Sequence, residues 1–137
     1  MRALILGLLV LAGCGSDPGL DGQWMYQSAD ASFGEALVFR GDGTYEMLKL
    51  WAGSPANAEK ETGTFASTGS TFTVKPATST CPVVDPPATY GWRIAGGTLV
   101  VSASAGAMTF SPLTGTPSAN AAIAFGCFVN GAWVPAQ

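Results

Sequence analysis

Residues 35–51 carry the feature that most limits what this chain can become: two short, largely apolar segments separated by Gly41-Asp42-Gly43. Both glycines tolerate positive φ, so the stretch predicts a tight turn joining antiparallel strands at 35–40 and 44–51. Leu37 and Phe39 share one face of the first strand. Upstream, 23–28 places Trp24 and Tyr26 at period two. Downstream, 61–66 and 71–75 flank Ser67-Thr68-Gly69-Ser70, with Phe72 and Val74 on one face. Residues 89–94 and 98–102 flank Gly96-Gly97, and 107–111 turns Met108 and Phe110 to one side before Pro112. A last apolar strand at 122–129 contains Cys127, and Asn130-Gly131 turns the chain toward Trp133. The pattern is eight or nine short antiparallel strands with no long helix beyond the N-terminal leader.

Three stretches interrupt it. At 52–60, Ser54-Pro55 ahead of Ala56, Asn57, Ala58 and Glu59 predicts either one capped helical turn or a plain loop. Four prolines (Pro76, Pro82, Pro86, Pro87) predict a long loop at 76–88, because proline cannot donate to a central sheet ladder. Small residues at 113–121 predict a linker.

The N-terminus has a different character. Met1 and Arg2 precede an apolar run from Ala3 to Val10 that ends on Leu11-Ala12-Gly13-Cys14. A membrane-spanning helix needs about 20 apolar residues, which this run does not reach. The pattern resembles a bacterial lipoprotein lipobox, and the resemblance implies cleavage between Gly13 and Cys14 and lipidation of Cys14. The expected organisation is a signal peptide at 1–13, a lipidated cysteine with a tether at 14–19, and one domain at 20–137. Two or more acyl chains would hold the protein stably on a membrane. Gly15 follows Cys14 where the inner-membrane retention signal of lipoproteins has aspartate, so the resemblance implies the outer membrane.

Loss of Arg2 with the leader leaves five basic residues against nine acidic ones. The five are scattered singly, which argues against a nucleic-acid partner. Assigning Cys14 to lipid leaves Cys81 and Cys127 as a pair. Outside the cytosol such a pair tends to oxidise, so a disulfide is expected, with two free thiols or a metal or redox pair as the alternatives.

Gly22-Gln23-Trp24 has the Gly-x-Trp of the first lipocalin strand. It is followed by Leu37-Val38-Phe39-Arg40-Gly41-Asp42-Gly43-Thr44-Tyr45 and by Glu61-Thr62-Gly63-Thr64-Phe65, in the order found in lipocalin-like domains of bacterial lipoproteins. Across residues 20 to about 111 the chain resembles that family. The resemblance implies an all-β, up-and-down antiparallel barrel of about eight strands, with Trp24 plugging its closed end. Such a barrel is either filled by its own side chains or holds one small ligand.

The chain has no histidine, so Ser-His-Asp and Cys-His arrangements are impossible and imidazole cannot ligate a metal. Glu59 and Glu61 flank Lys60 and read as a solvated charge cluster. No serine sits in a Gly-x-Ser-x-Gly or Ser-x-x-Lys pattern. No enzyme activity, cofactor or metal is expected. The candidate ligand-lining residues are Trp24, Tyr26, Tyr45, Trp51 and Trp92, which large-ring packing in a core would explain equally. The resulting expectation is a membrane-anchored envelope lipoprotein whose non-catalytic barrel takes a small hydrophobic ligand. The alternative is an inhibitor-type or interaction barrel acting on another envelope protein.

Overall fold

The structure is a computed structural model and describes residues 19–113 and 123–137. The expected leader, the expected cleavage site between Gly13 and Cys14, Cys14 itself, most of the expected tether and most of the expected 113–121 linker lie outside the described residues. Ten strands are described: β1 (Gly22–Gln27), β2 (Phe33–Phe39), β3 (Thr44–Trp51), β4 (Ala56–Ser67), β5 (Thr71–Ser79), β6 (Ala88–Ala95), β7 (Thr98–Ala103), β8 (Gly106–Pro112), β9 (Ile123–Val129) and β10 (Ala132–Pro135).

Each of β1 to β8 pairs antiparallel with a neighbour in sequence, except that β1 closes on β8, and β4–β5 pairing completes the ring. The result is a closed, eight-stranded, up-and-down antiparallel barrel with no helix among the described residues. Closure leaves no edge in the ring itself. The β2–β3 turn forms as the glycines require: Gly43 has φ of 82°, and Asp42 Oδ1 accepts from the backbone N–H and hydroxyl of Thr44.

Two interruptions read from the sequence are in fact strand. Residues 56–60 open β4, with Leu50 opposite Ala58 and Trp51 opposite Asn57; the chain reverses at 52–55 and no helical turn forms. β5 continues through Pro76 to Ser79, so the loop is 80–87. Pro76 is accommodated at a bulge: the register shifts between Thr62 and Gly63, placing Pro76 opposite Gly63 and leaving Ala77 as the extra residue. A Cβ on Gly63 would sit 2.1 Å from the Lys75 carbonyl oxygen, so this close approach requires glycine.

β9 and β10 stand outside the ring. β9 runs parallel to the first residues of β4, with Ala56 to Ala58 opposite Ile123 to Phe125, in the space left where β5 diverges. Thr80 secures the junction, its hydroxyl accepting from the Lys60 N–H and donating to the Gly126 carbonyl. Beside it Cys81 and Cys127 form a disulfide, which removes the free-thiol and metal alternatives for that pair.

Alternation along each strand decides what fills the barrel. At the end defined by the start of β1, β3, β5 and β7, the inward side chains Leu20, Phe39, Tyr45, Phe65, Phe72, Trp92, Leu99 and Phe110 are all buried. Phe39 packs edge-on against Phe65 and Phe72, with ring centroids 4.9 and 5.2 Å apart. Trp24 joins this packed end, its indole N–H donating to the Leu20 carbonyl at 2.9 Å. At the opposite end the same inward face carries Tyr26, Glu35, Met47, Lys49, Tyr90, Ala103 and Met108, none of them fully buried.

Candidate functional site

A cavity of about 250 Å³ lies inside the barrel and opens toward the less packed end. Its apolar wall is built by six strands of the ring: Leu37 and Phe39 of β2, Tyr45 and Met47 of β3, Phe72 and Val74 of β5, Tyr90 of β6, Val101 of β7, and Met108 and Phe110 of β8. Pro86 and Asp85 of the 80–87 loop reach over it. A cavity of this size exceeds the roughly 150 Å³ apolar cavities that accept a benzene-sized guest, and it lies just below the roughly 300 Å³ at which ligand pockets for drug-sized molecules begin.

The wall is not wholly apolar. Glu35, Glu61, Asp85 and Lys49 also line it. Glu61 is 8% exposed, and its Oε1 accepts a 2.6 Å hydrogen bond from the Tyr45 hydroxyl. Burial, that hydrogen bond and the Glu61 charge together push the Tyr45 phenol far above its ordinary range, so it stays a neutral donor. Tyr90 is pushed up as well, first by burial and then by the charges of Glu61, Glu35 and Asp85. Burial raises the Glu35 carboxyl above its usual value, and Lys49 partly offsets the rise. In the strand register Lys49 stands between Glu35 of β2 and Glu59 of β4.

The expectation of a solvated Glu59–Lys60–Glu61 cluster is therefore corrected. Because β4 begins at Ala56, alternation turns both glutamates inward and sends Lys60 outward to Glu46, at 3.3 Å. Glu59 Oε1 accepts from the Phe128 N–H at 2.8 Å. Glu59 also lies beside Cys81 and Cys127, with donor atoms of the three within 4.8 Å of one another, but both sulfurs are committed to the disulfide.

Of the five aromatic residues singled out from the sequence, the structure places Tyr45 on the cavity wall. Trp24 and Trp92 belong to the packed end, where the Trp92 indole N–H donates to the Thr68 carbonyl. Tyr26 is next to the cavity, 6.1 Å from the Phe110 ring. Trp51 sits at the open rim in an aromatic stack with Phe33, Phe128 and Trp133, at 5.4, 4.8 and 6.4 Å. Glu35, Glu61, Lys49 and Asp85 were not singled out as site residues. The signal for three of them was phase: Glu35 alternates with Leu37 and Phe39, Lys49 with Tyr45 and Met47, and Glu61 with Phe65.

The class these features define is a small closed antiparallel barrel, packed at one end and hollow at the other. No protein-family model matches the sequence, and no curated protein is significantly similar to it. Among solved structures, the chain is similar to a lipoprotein YedD from Klebsiella pneumoniae subsp. pneumoniae, with a TM-score of 0.52 and 18% identity over 77% of this chain and 81% of that one. At that identity the likeness concerns the fold.

Proposed function

We propose that the protein is a lipid-anchored envelope lipoprotein whose barrel binds a small hydrophobic ligand without converting it. The observation that carries this reading is the cavity of about 250 Å³ walled by Leu37, Phe39, Phe72, Val74, Val101, Met108 and Phe110. Burying a ligand methylene there is worth ~0.8 kcal/mol, so a short chain or single ring gains enough from the wall alone to bind. Export and anchoring rest on Leu11-Ala12-Gly13-Cys14, and the outer-membrane assignment rests on Gly15. The absence of histidine and of a nucleophile motif supports a carrier over an enzyme.

A cavity-filling variant tests the binding reading. Val101→Phe adds a ring to the wall at mid-barrel, and calorimetric titration with 1-hexanol is expected to show saturable binding that this variant loses while its thermal transition persists. Hexanol, toluene and cyclohexanol all giving flat titrations against the parent protein would sink the proposal. Anchoring is checked by the mass of the exported protein, which should begin at a triacylated Cys14 and should lose the lipid in Cys14→Ser.

A second reading has its own support in exposed apolar side chains. Val83 is 76% exposed on the loop over the cavity, and Ile123, Phe125 and Val134 are exposed on the β9–β10 hairpin. These suit contact with another envelope protein.

A further inference from the structure

We infer that the cavity selects a ligand with a positively charged amine at one end of a short apolar body. This rests on the ligand-binding reading above and adds the chemistry of the head group. Three carboxylates converge on the cavity from separate elements, Glu35 from β2, Glu61 from β4 and Asp85 from the 80–87 loop, against the single ammonium of Lys49. Lys49 is also shared, since its register neighbours are Glu35 on one side and Glu59 on the other. Glu61, the most buried of the three, takes its hydrogen bond from the Tyr45 phenol and not from a cation.

The three carboxylates share one space, since Glu35, Glu61 and Asp85 line the same cavity together with Tyr90 of β6. A buried carboxylate without a matching cation is costly in a low-dielectric interior, and an entering ammonium relieves that cost. A fatty-acid carboxylate would add a further negative charge to the same space. Tyr45 and Tyr90 bring aromatic rings to the same wall as the carboxylates, and aromatic rings attract cations. The apolar end of the ligand then lies toward Leu37, Val74 and Phe110, and its amine lies toward the carboxylates.

The test compares n-hexylamine, 1-hexanol and hexanoate at pH 7 by calorimetry. The full chain is held in phosphatidylcholine nanodiscs, with empty nanodiscs as the blank. Hexylamine is expected to bind about tenfold or more tighter than hexanol, and hexanoate more weakly than hexanol. In a Glu35→Gln, Glu61→Gln, Asp85→Asn variant the ratio of hexylamine to hexanol affinity should fall to about twofold or less, whatever the change in either affinity alone. Glutamine at position 61 still accepts from Tyr45, and circular dichroism reports whether the variant is folded. The single variant Asp85→Asn, on a loop, gives the same comparison if the triple variant does not fold. Equal affinities or a preference for hexanoate would overturn the amine assignment and leave the cavity reading standing. An amine preference unchanged by the folded variants would also overturn it, as would no binding of any of the three, and flat titrations with toluene and cyclohexanol as well would remove both readings.

Discussion

Glu35 shows how a single residue's phase in a strand becomes an energetic property of the whole barrel. It shares the inward face of β2 with Leu37 and Phe39, and burial raises its carboxyl pKa above the ordinary 4.5 while Lys49 pulls the other way. The folded state therefore holds this proton more tightly than the unfolded chain does. Stability linked to the group is full below about the ordinary value and is lost as pH rises through the raised one. Replacing it by the neutral isostere removes that loss. Glu35→Gln is expected to raise the melting temperature at pH 7, with the gain shrinking toward zero at pH 4. Thermal melts of parent and variant at the two pH values check this, and a gain equal at both would mean that ionisation of Glu35 is not its cause. Gly63 makes the complementary point, because its constraint is steric: no side chain fits between its backbone and the Lys75 carbonyl.

At the scale of elements, the disulfide ties the β9–β10 hairpin to the 80–87 loop outside the ring. It closes a loop with a sequence separation of 46, which is worth roughly 4 kcal/mol at most in the chain-entropy view. The paired substitution Cys81→Ser, Cys127→Ser is expected to lower stability by up to about that amount, and to do so unevenly. Amides of β9 and β10 should exchange faster in hydrogen-exchange measurements, while those of β1–β2 and β7–β8 keep their protection; uniform loss of protection would contradict the arrangement. Which elements could be read beforehand follows from where their signals lie. β3 is legible at 44–51 because its turn chemistry and its alternation are both local. The first half of β4 is not, because Ala56-Asn57-Ala58 has no strand-forming side chains and is held by Leu50 and Trp51 on one side and β9 on the other. β5 beyond Pro76 is hidden for a related reason, since the bulge that admits proline is made by Gly63 on the neighbouring strand. The site was legible at one of the five aromatic residues: Tyr45 could be named, but a tryptophan's size does not say at which end of a barrel it will sit, and Trp24 and Trp92 went to the packed one.

For the molecule as a whole, the division between ring and appendage is the organising fact. All eleven buried residues of the core cluster lie between Leu20 and Phe110, and the two pairings that close the ring, β1–β8 and β4–β5, are complete by Pro112. The hairpin contributes a rim instead: Phe128 and Trp133 stack on Trp51, and β9 covers the backbone of Ala56 to Ala58. Since hydrophobic burial is the dominant favourable term in folding, the ring should stand without the hairpin, at a cost set by the newly bared Trp51 and the exposed start of β4. A chain ending after Leu113 and carrying Cys81→Ser is thus expected to keep a β-sheet circular dichroism signal and a cooperative thermal transition at lower temperature than the parent. It should also retain hexanol binding, because no residue of β9 or β10 lines the cavity. A soluble but unfolded product would show that the hairpin is part of the folding unit. A folded barrel that no longer binds would show that the aromatic rim around Trp51 shapes the cavity mouth from outside the ring.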